Sequence, residues 1–370
     1  VDAPKLAYVG SRTTPERGTG AGISSFIITD SRWTLLAETP AVNPGFLVLD
    51  PVSEVLHASA GDHDYITSYR ADSDGKLKEL GRQPTLGTNP AHTCLDPSGR
   101  YVLVANHTSG SVVSLPILPD GSLGPVAGQL KFTGDPGPHR TDQTGAKPHQ
   151  VVFSPAGDYF LVPDKGLDTI FTCTLDTETG RLEFAGRLRL REFSGPRHLV
   201  FHPHLALAYA INELNSTVTV LDCGSPENLC PVQYLPTVED SDTRDSRAAE
   251  VVISADGRFL YASNRSGAGD KTPGGPGDDT IAVYAVKEDG TLSPATWTTS
   301  GGIRPRFITL SGDGKTLYAA NEKSGTIEAI GIDADSGLPR TGRQVAQTGS
   351  PVCIVFATSF EGYTQSLAVL

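Results

Sequence analysis

The sequence predicts an all-β fold, a seven-bladed β-propeller with four antiparallel strands per blade, on three observations. Two apolar runs around a tight turn recur along nearly the whole chain. Gly 40 and Pro 27 make up about 18% of the 370 residues, above the roughly 12% usual in globular chains, and so supply turns for many short elements. No stretch of about ten residues or more carries a convincing helical period, which removes the α/β alternatives.

The blades follow in order. NPGFLVLDPVSEVLHAS opens blade one at Asn43, NPAHTCLDPSGRYVLVAN blade two at Asn89, and KPHQVVFSPAGDYFLVPD blade three at Lys147. GPRHLVFHPHLALAYAIN from Gly195, RAAEVVISADGRFLYASN from Arg247 and RPRFITLSGDGKTLYAAN from Arg304 open blades four to six. Successive copies start 46 to 58 residues apart. Within each, the first run (strand A) meets a turn such as Asp96-Pro97-Ser98-Gly99, and the second (strand B) completes a hairpin. A β-branched run such as SVVSLPI, DTIFTCTL or DTIAVYAV supplies strand C, and a weaker strand D follows an Asp-Gly or Ser-Gly turn. SPVCIVFA from Ser350 begins a seventh copy that stops early. The other end of the chain completes it, with LAYVGS (residues 6–11) as strand B and GISSFIIT as strand C. Sharing one blade between the two ends closes a single domain, 1–370, into a ring without free edges.

Composition narrows the function. A net charge of −12 argues against a broad nucleic-acid footprint, and no apolar run is long enough for a membrane helix. Five scattered cysteines without a CxxC support neither a disulfide scaffold nor a zinc ribbon. Cys173 and Cys353 read as buried thiols, and Cys223 and Cys230 could close a small loop if oxidised. All nine histidines lie between His57 and His204, but their spacing matches no metal motif. His198, His202 and His204 fall on alternate sides of a strand or in its turn. No metal and no cofactor is expected. No signal-peptide pattern opens the sequence, and the cytoplasm is the expected compartment, with a processed, exported form as the alternative.

Propeller geometry brings the start of strand A and the end of strand B to one face. The openers His92, His149, Arg197 and Arg306 therefore meet the closers Asn106-His107, Asp164-Lys165, Asn212-Glu213, Asn264-Arg265 and Asn321-Glu322. The long insertions 134–146, 237–246 and 267–279 overhang the same face, making the channel mouth the expected site.

GPRHLVFHP with YAINELNSTV, KPHQVVFSPAGDYFLVPDKGLD and AAEVVISADGRFLYASNR resemble the propeller lactonases over essentially the whole chain. That family holds the bacterial-type 6-phosphogluconolactonases and the fungal 3-carboxy-cis,cis-muconate lactonizing enzymes. The resemblance implies a site of one histidine, two arginines and one glutamate: His149, Arg197, Glu213 and, in preference to Arg247, Arg265. His149 would be the general base, and the arginines would hold an oxyanion or a substrate anion. Glu213 would orient His149 or an arginine, or hold a sugar hydroxyl. His92, Asp164, Lys165, Arg306 and Glu322 are further candidates for contact with substrate, with plain structure as the alternative for Arg306 and Glu322. Lys165 stands where the family often has a hydrophobic residue, and the Gly-rich insertion 267–279 is a second departure. The expected substrate is a small anionic lactone such as 6-phosphogluconolactone. Cycloisomerisation of a carboxymuconate and a non-enzymatic scaffold propeller are the alternatives.

Overall fold

A computed structural model describes residues 5–29, 32–72, 75–268 and 277–358. Among them are 28 strands, from β1 (Lys5–Ser11) to β28 (Pro351–Thr358), in seven four-stranded antiparallel sheets. The A strands of neighbouring blades pack against one another around the centre. In the seventh blade β28 is strand A, paired antiparallel with β1 as strand B through contacts such as Leu6↔Ala357 and Val9↔Ile354. Gly22–Thr29 and Arg32–Pro40 follow as its strands C and D. The ring is closed by hydrogen bonds between the two ends of the chain, as the sequence predicts.

Seven apolar clusters form the core, one in each gap between adjacent blades. Strand B explains why its sequence reads as an unbroken apolar run. In blade two (Tyr101–Asn106), Leu103 and Ala105 face blade three while Val102 and Val104 face blade one. In blade four (Leu207–Asn212), Ala208 and Ala210 pack toward blade three, and Tyr209 and Ile211 toward blade five. With period 2, a strand covered on both faces disfavours a charge except near its ends.

Polar groups fix the turns and the blade tops. Asp96 accepts the backbone N–H groups of Ser98, Arg100 and Tyr101, and Gly99 completes the A–B turn at φ 68°. The asparagines that close strand B are blade pins. Asn106 donates to the Thr85 carbonyl at 2.9 Å, and Asn321 to that of Ser300 at 3.1 Å. Asn264 donates to the Thr237 carbonyl and accepts from the Thr237 hydroxyl at 2.7 Å. Asn264→Ala should lower stability by about 2 kcal/mol, because it leaves that buried hydroxyl without its acceptor. The denaturation midpoint should fall at unchanged slope.

All five cysteines are free, with Cys173, Cys223 and Cys353 buried and Cys230 exposed. No helix among the described residues is long and apolar enough to cross a membrane.

Candidate active site

One backbone device, repeated seven times, builds the channel mouth. The residue that opens strand A accepts the N–H of the residue just past strand B. The pairs include Asn43 with Gly61, Asn89 with His107, Lys147 with Lys165, Gly195 with Glu213, Arg304 with Glu322 and Ser350 with Arg12, at 2.8–3.0 Å. In blade five, Arg247 and Arg265 are register partners. Asn43, Asn89, Arg304 and Ser350 hold left-handed backbone to make this entry.

Strand A then carries one more residue than strand B, in every blade. Such a bulge re-aims the side chains around it. Three rings of seven result. Gly45, Ala91, His149, Arg197, Ala249, Arg306 and Val352 stand at the bulge. One residue further are Phe46, His92, Gln150, His198, Glu250, Phe307 and Cys353. Gly61, His107, Lys165, Glu213, Glu322 and Arg12 follow strand B, and Arg265 holds the same register position inside the longer strand B of blade five (Phe259–Ser266). The second ring floors the channel: Phe46 lies 4.0 Å from His92, 6.0 Å from Phe307 and 6.2 Å from His198 between ring centroids. Above it opens a narrow cavity whose lining includes Arg12, Arg197, His198, Glu250 and Arg306.

His149 sits at the head of a buried relay. Its Nδ1 is 3.1 Å from His198 Nε2, and His198 Nδ1 is 2.7 Å from Glu250 Oε1. With Glu250 ionised, each N–H points toward the carboxylate: His198 donates to Glu250, and His149 donates to His198. The lone pair of His149 is then on Nε2, for which no hydrogen-bond partner is found among the described residues. Burial, and then the neighbouring Arg197, holds the His149 pKa well below 6.5, so the imidazole is neutral. Burial pushes Glu250 up to about 8 against the pull of Arg197.

Beside the relay lies a cluster of cations around one carboxylate. Glu213 Oε2 is 3.1 Å from Arg197 Nε and 3.3 Å from Arg265 Nη2, and Oε1 is 3.1 Å from Lys165 Nζ. The Arg197 contact lies off the N–H direction, so it is a charge contact rather than a hydrogen bond. Arg197 Nη1 donates to the Ala249 carbonyl, and Arg265 donates to those of Arg247 and Ala248. Burial alone would raise the Glu213 pKa, but Lys165, Arg265 and Arg197 hold it well below 4.5. The insertion 134–146 contributes Asp142, 3.1 Å from Lys165 Nζ and 3.7 Å from Arg247 Nη1.

Of the four residues expected at the centre of the site, Arg197, Glu213 and Arg265 form one contact cluster, and His149 joins it through His198, the chain neighbour of Arg197. Arg265 rather than Arg247 touches Glu213; Arg247 pairs with Asp245 at 3.1 Å. Lys165 joins the cluster. Arg306 and Glu322 stand 4.0 Å apart, with Arg306 on the cavity wall. His92 belongs to the floor, where its Nδ1 accepts the Val151 N–H at 3.4 Å. Asp164 has a different task from the substrate contact expected of it. Fully buried, it accepts the N–H groups of Lys147, Gly166 and Leu167 at 2.8–3.0 Å and so holds the B–C turn. Of the insertion 267–279, residues 269–276 lie outside the described residues.

Sequence reasoning missed His198, Glu250 and Arg12. Glu250 is the acid inside the apolar run AAEVVI, where a strand covered on both sides should hold none. No group of three or more His, Cys, Asp or Glu among the described residues is placed to hold a metal ion.

A family model described as lactonase, 7-bladed beta-propeller, matches residues 6–356. The chain belongs to this lactonase family. The 6-phosphogluconolactonase of Formosa agariphila is 31% identical over 365 residues, covering 95% of this chain and 99% of its own. That of Bacillus subtilis is 28% identical over 361 residues, covering 95% and 98%. Among solved structures, a periplasmic gluconolactonase from Pseudomonas aeruginosa superposes with a TM-score of 0.84 at 28% identity, covering 96% of this chain and all of its own. In this propeller lactonase the polar part of the bulge ring, His149, Arg197 and Arg306, belongs to blades three, four and six. Blades five, seven, one and two contribute the uncharged Ala249, Val352, Gly45 and Ala91.

Proposed function

We propose that the protein hydrolyses a small anionic sugar lactone of the 6-phosphogluconolactone type. The observation that carries this reading is the orientation of His149: its Nδ1 is tied through His198 to Glu250, and the charge of Arg197 helps to keep it neutral. His149 Nε2 takes a proton from a water as the water oxygen bonds to the lactone carbonyl carbon. Arg197 faces the oxyanion that develops there. As the tetrahedral centre collapses, the ring C–O bond breaks and the His149 imidazolium returns the proton to the departing oxygen. The products are those of ring opening, a hydroxyl group and a carboxylic acid that releases its proton to the solvent as it becomes the carboxylate. Glu213 and Arg265 keep Arg197 in place. A neutral imidazole suits this base role better than the proton delivery that cycloisomerisation of a muconate would start from. Free thiols fit the cytoplasm as the compartment in which this reaction runs.

A panel of phosphorylated sugar lactone, unphosphorylated sugar lactone and carboxymuconate, followed by acid release or absorbance, tests the reading. Turnover of the phosphorylated lactone well above its spontaneous opening is expected, and absence of turnover with either lactone overturns the proposal.

The relay also sets a pH dependence. Below about pH 8 a protonated Glu250 donates to His198 Nδ1. The chain then reverses, and His149 Nε2 carries a proton in place of a lone pair. Activity corrected for spontaneous hydrolysis should therefore rise with pH through a limb near 8. Glu250→Gln keeps an acceptor for His198 but has no proton to lose, so its profile should be flat from pH 6 to 9 at roughly a tenth of the wild-type plateau.

A further inference from the structure

The reaction above leaves Arg12 without a task. It follows β1, so it is the seventh-blade member of the ring that holds His107, Lys165, Glu213, Arg265 and Glu322. Its N–H donates to the Ser350 carbonyl at 3.0 Å, which fixes the backbone. The side chain is only 8% exposed, and it makes no hydrogen bond or salt bridge with any described residue; Nη1 is buried and unpartnered. The two acids that act on it from a distance are engaged elsewhere. Asp62 forms a hydrogen bond with Arg17 at 2.7 Å, and Glu322 faces Arg306. Burial brings the Arg12 pKa down to about 10, so the guanidinium is still charged at neutral pH.

The surroundings make room for this charge. Blade one supplies glycine to both the bulge ring and the ring behind strand B. A Cβ on Gly61 would lie 2.5 Å from Arg12 Nη1, and one on Gly45 would lie 3.6 Å from it. The guanidinium thus fills space that other blades give to side chains, and it opens into the cavity that Arg197, Glu250 and Arg306 also line. Blade seven lies across the ring from blades three and four, which carry His149 and Arg197. An unpaired buried guanidinium is costly unless an anion completes it.

We propose that Arg12 is the anion-binding residue of the site, gripping the phosphate or carboxylate of the substrate while the lactone carbonyl lies against Arg197 and His149. This rests on the lactonase reading, and it adds a recognition group on the opposite side of the mouth from the reacting bond.

Two measurements on Arg12→Gln test it. Calorimetric titration with inorganic phosphate needs no turnover, and affinity should fall about 10–10²-fold relative to wild type. The kcat/KM for an anionic lactone should fall by a similar factor, while that for its uncharged counterpart changes less than about threefold. Running a phosphorylated and a carboxylated lactone side by side identifies the anion by which of the two suffers the loss. Gly61→Ala keeps the arginine but sets a methyl group against Nη1, so it should reproduce the selective loss if Arg12→Gln does not fold. Unchanged phosphate affinity in these variants overturns the proposal, as does an equal loss on charged and uncharged lactones. If wild type opens no lactone, the lactonase reading fails, and the phosphate titration still decides whether Arg12 binds an anion.

Discussion

His149→Ala should fold as wild type does and hydrolyse the lactone about 10²–10⁴-fold more slowly. The expectation comes from what the substitution leaves behind. Arg197, Arg265 and Glu213 keep their mutual contacts, so the stabilisation of the oxyanion survives. His198 keeps its hydrogen bond to Glu250 but no longer reaches a base. The loss should therefore fall on kcat more than on KM. Imidazole added to the buffer should restore part of the rate, since the missing group is a neutral base at the end of an intact relay. The limb near pH 8 should disappear, because Glu250 then has no base to direct. His198→Phe separates positioning from catalysis: it keeps His149 but removes its partner, so a smaller loss with an altered pH profile is expected. A folded His149→Ala protein with the wild-type rate would remove the base from the mechanism.

The fold could be read from the sequence because each blade advertises itself locally. Its A–B hairpin, Asp-Gly or Pro-Ser-Gly turn and β-branched third strand lie within about 50 residues, and repetition raises a weak signal above chance. The site was legible only in part, for two physical reasons. First, strict alternation assigns His198 and Glu250 to faces by parity, and one extra residue in strand A shifts every assignment after it. The bulge changes the side a residue faces without changing its identity, so no residue type announces it. Second, blade seven is assembled from both ends of the chain. Arg12 follows LAYVGS as Glu213 follows LAYAIN, but that equivalence is visible only after the terminal strand B is aligned with the internal ones. Asp164 shows the converse case. Its place in the repeat matches the asparagine pins of the other blades, but where those donate to backbone carbonyls the carboxylate accepts backbone N–H groups, so position alone did not reveal its task.

Glu213→Ala should be the most destabilising change at the mouth, by about 3–5 kcal/mol, because it removes one partner from a buried ionic cluster. Arg197, Arg265 and Lys165 would then face one another with only Asp142 as counter-charge to Lys165. The pH dependence identifies the source of the loss. Lys165, Arg265 and Arg197 hold the folded pKa of Glu213 well below its ordinary 4.5, against the upward push of burial. Its contribution is therefore fully present above about pH 4.5 and fades only as pH falls through the lower folded value. The gap in denaturation midpoint between wild type and variant should be constant from pH 5 to 8 and close only in stronger acid. Glu213→Gln keeps the shape but not the charge, so a loss close to that of alanine would identify the charge as the source. Inorganic phosphate should recover more stability in either variant than in wild type, since an added anion can take the place of the missing carboxylate. A variant as stable as wild type at neutral pH would mean that the three cations need no counter-charge from the protein, and Glu213 would then have to be reassigned to contact with substrate.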